Sequence, residues 1–261
     1  MKNVVFWIGV KSNNSLLLEK HGDFSYFEYS KKTWKYWCDK NNILFFEYNT
    51  PSLDNTGKHR ATWQRWFDIE DQLKEIDWNK VAVIDASYMI KWNCPNFFDL
   101  TSDKLSVFHS LENIKWVDES IQGYKELFPE VNFELKRYID CGFQIFTKNH
   151  LNFLSNLKKF YFDNNDKILE LQSKVGRGTD QPIYNYLLQK NNIDFGFELP
   201  NAYNLNHMYR FTWFNYNWQL NEDKTPFFIK YGYIWKYSGF DRRERTPLMK
   251  QTWDIIKNNY E

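Results

Sequence analysis

Four short segments hold the residues whose types and spacing could do chemistry. In Val81-Ala-Val-Ile-Asp85-Ala-Ser87 an apolar run ends on a carboxylate. An acid so placed holds a ribose hydroxyl or a divalent cation on a diphosphate. It equally well caps the turn that follows. In Ile139-Asp140-Cys141-Gly142-Phe143-Gln144-Ile145-Phe146 a glycine interrupts an apolar run. Such a glycine marks a bulge or a close backbone approach. Asp140 then projects into a cleft, or lies solvated on a kinked strand. In Gly176-Arg177-Gly178-Thr179-Asp180-Gln181-Pro182, Thr179 or Asp180 is a natural helix N-cap and Pro182 suits the first turn. A capped helix accounts for that pattern completely. The alternative is that Asp180 and Gln181 hold a sugar hydroxyl or phosphate at the positive helix end. In Ile234-Trp235-Lys236-Tyr237-Ser238-Gly239-Phe240, followed by Asp241-Arg242-Arg243-Glu244-Arg245, bare backbone N–H groups stand beside several cations. That combination suits a diphosphate, or is a solvated basic turn.

These segments need elements to position them. Residues 4–10, 43–48 and 81–85 are short apolar runs bounded by polar residues and read as buried parallel strands. Residues 26–41 put Phe27, Trp34, Trp37 and Cys38 on one helical face, with Ser30 in the intervening turn. Residues 61–76 give a second stripe through Trp63, Trp66, Phe67, Ile69 and Leu73. Strand and helix alternate as in a doubly wound α/β half, whose strand ends form a ligand-binding edge. Further on, 93–100 reads as loop, 120–127 as a short helix and 138–147 as a strand interrupted at Gly142. Residues 149–171 read as helix broken near Asn164, and 180–190 as a helix. Residues 226–235 read as a strand, with a final helix from Pro247.

Composition narrows the class. With 261 residues, 43% hydrophobic and 26% charged, the chain is not disordered and needs no disulfide or metal staple. Lys and Arg number 34 against 33 Asp and Glu, so the strongly basic field of a non-specific nucleic-acid binder is absent. Cys38, Cys94 and Cys141 are too far apart for a zinc pattern and read as reduced thiols. The apolar run at 4–10 is short for a signal peptide, and no stretch approaches the roughly 20 residues of a membrane helix. The expectation is a cytoplasmic protein. Aromatics reach 20%, enough to expect many rings at the surface or along a groove. The ring-rich residues 203–237 read either as a second layer on the sheet or as an acceptor groove.

In their order along the chain, the segments resemble the GT-A glycosyltransferases. The likeness is to the retaining galactosyl- and xylosyltransferase-like families and, more loosely, to glycogenin-like enzymes. It runs from residue 1 to about 245. Where the family has Asp-x-Asp, this chain has Asp85-Ala-Ser87. Where a helix bears a basic residue among aromatics, it has Arg60-Ala-Thr-Trp63-Gln-Arg65-Trp66. Asn-x-Gly is matched by Asp140-Cys141-Gly142, the helix-opening Asp-Gln by Asp180-Gln181, and His-Phe-x-Gly by Lys236-Tyr237-Ser238-Gly239.

The resemblance implies a fold, an activity and a set of roles. The fold is one Rossmann-like α/β domain over 1–261 with a mixed central sheet and an aromatic-rich C-terminal part. Residues 1–100 would be its nucleotide half and 101–261 its sugar and acceptor half. The activity is transfer of a sugar from a nucleotide-diphosphate donor, UDP-linked, with retention. The acceptor the family implies is a glycan or lipid-linked precursor. Apart from the resemblance, Lys224, Lys230, Arg242–Arg245 and the aromatic-rich tail speak for DNA with a hydroxylated base as a second class, against the near-zero net charge. Asp180 and Gln181 take catalytic positions, Gln181 under the anomeric carbon. Asp140, Gly142, Arg60 and Arg65 attend the donor sugar. Gly9, Asp85, Ser87, Lys236, Gly239 and Arg242 attend the nucleotide and diphosphate. Ser87 and Lys236 replace two metal ligands of the family pattern, leaving Asp85 alone for Mn²⁺ or Mg²⁺. The expectation is therefore weak or absent metal dependence, with Lys236 and Arg242 or Arg243 supplying positive charge. The alternative is a degenerate GT-A fold that binds a carbohydrate or nucleotide without turnover.

Overall fold

The computed structural model describes residues 1–11, 23–53, 61–110, 113–206, 225–239 and 242–261. Strands β1 (Lys2–Ile8), β2 (Leu44–Tyr48) and β3 (Trp78–Asp85) are parallel, as their apolar runs predict. They join β5 (Leu105–His109), β6 (Ile139–Thr147) and β7 (Phe195–Gly196) in one mixed sheet of order β2-β1-β3-β6-β5-β7. Strand β6 runs antiparallel to both β3 and β5. The carboxyl ends of β1, β3 and β5 and the amino end of β6 therefore share one edge. A separate two-stranded ribbon pairs β4 (Tyr88–Ile90) antiparallel with β8 (Ile234–Lys236).

Alternation along the strands sends side chains to two faces. Val4, Phe6, Val81 and Val83 pack under α2 (Ala61–Phe67), α4 (Ile114–Tyr124), α5 (Leu151–Asp163), α6 (Asn165–Val175) and α7 (Gln181–Lys190). Val5, Trp7, Ala82 and Ile84 pack under α1 (Phe27–Lys40) and the ribbon. Among the described residues Phe162, Phe197 and Tyr231 are exposed and Phe24 and Phe27 line an open cavity, but many of the largest rings lie in the core. Trp7, Trp34, Trp37, Trp63, Trp66 and Trp235 are all fully buried. The high aromatic content fills both layers of core. Tyr203, Phe228, Trp235 and Tyr237 are buried too, so these rings of the 203–237 stretch are second-layer packing; residues 207–224 lie outside the described ones.

Four local readings differ from the structure. The stripe at 61–76 is two helices, α2 and α3 (Ile69–Leu73), broken at Asp68. That buried carboxylate accepts from the Tyr48 hydroxyl and from the Ser52 N–H and hydroxyl, at 3.0 and 2.5 Å for Ser52. It ties the exit of β2 to the helices, and the local backbone bends to reach. Residues 226–235 form a short helix, α8 (Phe227–Tyr231), before β8 begins. Three consecutive apolar residues there carry no periodicity that separates helix from strand. The final helix α9 (Arg242–Ile256) starts before Pro247, which lies inside it. Its first turn is held by Arg245, whose guanidinium donates to Tyr237 O at 3.0 Å and Tyr26 Oη at 2.9 Å. The helix read at 120–127 begins at Ile114, where Asn113 caps it by accepting from Lys115 N at 2.9 Å.

Candidate active site

The shared sheet edge gathers two buried ion pairs. Helix α6 ends at Gly176 and a tight loop leads into α7, with φ of 64° at Gly176 and 63° at Gly178. Only glycine takes those values without strain. The loop is held from behind by the Tyr124 hydroxyl on Gly178 O at 3.0 Å and Gln172 Nε2 on Thr179 O at 3.1 Å. It delivers Asp180 to the N-cap position of α7, yet the Asp180 side chain makes no capping bond. The simple capped-helix reading therefore fails at this residue. The carboxylate instead accepts from Arg65 Nη2 at 2.8 Å and Thr179 Oγ1 at 2.6 Å. Arg65 is fixed by two further bonds, Nε to Thr62 O at 2.7 Å and Nη1 to Cys141 O at 3.1 Å. Its guanidinium lies 5.0 Å from the Trp66 ring centroid.

The second pair joins Lys236 on β8 to Asp140 on β6. Asp140 also accepts from Gly142 N at 2.8 Å and, more distantly, from Asn204 Nδ2 at 3.4 Å. Burial alone would raise the Asp140 pKa. The Lys236 charge and these hydrogen bonds outweigh burial and hold the carboxyl below its ordinary value. Desolvation likewise opposes the charge on Arg65, but Asp180 first and Asp85 second keep it firmly protonated. Cys141 lies between the two pairs, its thiol pushed up by burial. Its carbonyl takes Arg65, and its N–H donates to Gln181 Oε1 at 3.2 Å. Gln181 Nε2 reaches Ser110 Oγ at 3.4 Å.

Thus Arg65, Asp140, Gly142, Asp180, Gln181 and Lys236, scattered through the sequence, form one contiguous cluster. Asp85 borders it. One of its oxygens caps the turn by accepting from Ser87 N at 3.0 Å, as the simpler reading of that segment has it. The Ser87 carbonyl in turn accepts from Tyr237 N at 2.8 Å, locking β8 beside the end of β3. Gly9 follows β1, where Ala86 N donates to Ile8 O at 3.1 Å. It lines a separate open cavity of about 750 Å³ with Trp7, Lys11, Phe27, Glu47 and Asn49. None of the acids of the cluster lines that cavity. Gly239 lies in the exposed turn after β8. Arg60 falls outside the described residues, and Arg242 opens α9 without a described side chain.

Sequence reasoning missed Tyr88, Asn204 and Ser110. Tyr88 sits in an apolar triplet too short to show a face, and Asn204 in an aromatic-rich stretch without period. Gly142 is explained by Tyr88: a Cβ there would stand 2.3 Å from the Tyr88 Oη and 3.1 Å from its ring. Gly142→Ala should therefore cost about 1–3 kcal/mol by overpacking, read as a lower midpoint in urea unfolding. An unchanged midpoint would show that the strand yields at this point.

No family model and no curated protein matches the sequence significantly. Solved structures do match. One is a glycosyltransferase involved in the glycosylation of the major capsid of PBCV-1, with a TM-score of 0.55 at 11% identity, covering 96% of this chain and 100% of that one. Another is the bifunctional glycosyltransferase WbbM, with a TM-score of 0.52 at 14% identity, covering 99% of this chain and 50% of that one. At such identities the likeness concerns the fold. That fold is the GT-A type, a six-stranded mixed sheet with its helices, as the resemblance implied. No described helix is long and apolar enough to cross a membrane.

Proposed function

We propose that the protein is a glycosyltransferase that moves a sugar from a nucleotide-diphosphate donor, UDP-linked, to a hydroxyl acceptor with retention. The observation that carries the reading is Asp180. It stands at a helix N-terminus, gives up the cap that position offers, and is held by Arg65 beside the Asp140–Lys236 pair. A fold needs no such arrangement, whereas oriented carboxylates that accept sugar hydroxyls do. Asp140 and Asp180 bind the donor sugar, with Arg65 orienting Asp180 through its three fixed bonds. Gln181 lies under the anomeric carbon, its amide set by Cys141 and Ser110. Transfer breaks the anomeric carbon–oxygen bond, and the electron pair goes to the diphosphate. The acceptor oxygen bonds to that carbon and its proton leaves with the phosphate. The negative charge that grows on the diphosphate requires a cation beside it. Lys236 supplies it. The cavity beside Gly9 receives the nucleoside. The acceptor is a glycan or lipid-linked precursor.

On this reading the diphosphate needs no divalent metal, since Asp85 is the one residue left of the family's ligand pattern. Asp85 spends one oxygen on Ser87 N, and an ammonium stands where the family pattern has a histidine ligand. Transfer should therefore persist in excess EDTA. Complete loss restored by Mn²⁺ would overturn that part of the reading.

Thermal unfolding against a panel of nucleotide sugars tests the whole. A donor at 100 times its Kd adds about 2.7 kcal/mol, which raises Tm by roughly 5–10 °C at this size. One donor should produce that shift and be hydrolysed or transferred. A shift without turnover would favour a binding module on a degenerate fold. No shift with any donor would overturn the proposal.

A further inference from the structure

Tyr88 lies at the centre of the cluster and its hydroxyl has no partner. The side chain is 0% exposed, and its Oη is among the buried polar atoms that make no hydrogen bond. The backbone is anchored with care. The Tyr88 carbonyl accepts from Ser30 Oγ at 2.5 Å and from Trp34 Nε1 at 3.1 Å, both on α1. Across the ribbon it faces Lys236, whose ammonium lies 5.8 Å from the Tyr88 ring centroid. Its Oη abuts Gly142, the one place on β6 where no side chain would block it. Asp140, then Asp85, are the charges that bear on it most.

Other unpartnered atoms share this ground. Ser87 Oγ, on the preceding residue, and Asn204 Oδ1, on the amide that donates to Asp140, are likewise buried without a hydrogen bond. Leaving a buried hydroxyl unpaired is unfavourable, and phenylalanine would fill the same volume without that cost. Packing does not account for the oxygen. A site built to pair a substrate hydroxyl does, because it stands with unsatisfied polar groups until that substrate arrives.

We propose that Tyr88 is a donor-sugar-binding residue, its hydroxyl kept under the Lys236–Asp140 pair and exposed when a diphosphate draws Lys236 away. In the free protein the ammonium covers Asp140. When donor binds, the diphosphate takes the ammonium, and Asp140, Tyr88 Oη and Asn204 Oδ1 take the sugar hydroxyls. The inference rests on the transferase reading and adds to it a residue outside the four segments of the sequence pattern, together with a movement that readies the site.

Tyr88→Phe removes only the oxygen. The experiment compares wild type and variant in three states: free, with UDP, and with UDP-glucose, UDP-galactose or UDP-xylose. The free variant should be as stable as wild type or more so. The Tm rise with UDP should be unchanged, and the extra rise from the attached sugar should disappear, with about tenfold weaker binding of the nucleotide sugar. An intact sugar-dependent rise in the variant would overturn the role of Tyr88 while leaving the transferase reading in place. So would a destabilised free variant, since the oxygen would then have a partner within the protein. If wild type itself showed no rise with UDP or with any donor of the nucleotide-sugar panel, the transferase reading would fall and this inference with it.

Discussion

Arg65→Met should destabilise the protein by about 3–5 kcal/mol and abolish donor turnover. Both partners of the pair are almost out of solvent, with side chains 9% and 7% exposed. Removing the guanidinium strands the Asp180 carboxylate in a buried setting with Thr179 as its nearest donor. An uncompensated buried charge of this kind costs more than the net worth of the pair. Asp180→Asn keeps the shape but leaves the buried Arg65 guanidinium without its main counter-charge, so its cost in stability should be of the same order, about 3–5 kcal/mol. Its cost in turnover should match that of Arg65→Met. Urea unfolding of both variants and of the double variant would measure the coupling between them. A loss under about 1 kcal/mol for Arg65→Met would mean that water reaches Asp180 freely, and the preorganised carboxylate of the proposed mechanism would be gone.

Lys236→Met should have an effect that depends on pH with a defined sign. In the native protein the Asp140 carboxyl is held below its ordinary value. Its contribution to stability is complete above the unfolded pKa of about 3.9 and is lost as pH falls through the folded value. Without Lys236 the strongest stabiliser of the carboxylate is gone, and burial then dominates and raises the folded pKa above the unfolded one. The variant is therefore weakest at neutral pH, by roughly 3–5 kcal/mol. It recovers towards wild type on acidification, as Asp140 takes up a proton. Urea melts at neutral and mildly acidic pH measure this. A gap that widens on acidification would show that Asp140 is not the group Lys236 neutralises. Turnover should fall by roughly 10²-fold or more, as for loss of one charge that stabilises a leaving group.

How much of this was legible in the sequence depended on whether a residue's role is local. Strands β1, β2 and β3 were plain because buried parallel strands are continuous apolar runs. The break near Asn164 and the turn at Gly176 to Thr179 were plain from their turn residues. The helix break at Asp68 was hidden, since its cause is a bond to Tyr48 and Ser52 on another element. The ribbon was hidden because three-residue strands have no period to detect. Asp180 was picked out, but on the sequence alone a cap explained it as well; only the position of Arg65 separates the two readings. Tyr88 had no signal at all, being a ring among apolar residues whose meaning lies in what its oxygen lacks.

The cluster joins residues far apart along the chain, 115 positions between Arg65 and Asp180 and 96 between Asp140 and Lys236. Closing loops of that length exacts its entropy before any contact repays it. The β1, β2 and β3 layer can form early from nearer pairings, whereas both ion pairs wait for α7 and the ribbon to dock. Substitutions at the pairs should then act mainly by speeding unfolding, with refolding rates nearly unchanged. A molecule can in that way hold a complete sheet before it holds a working site.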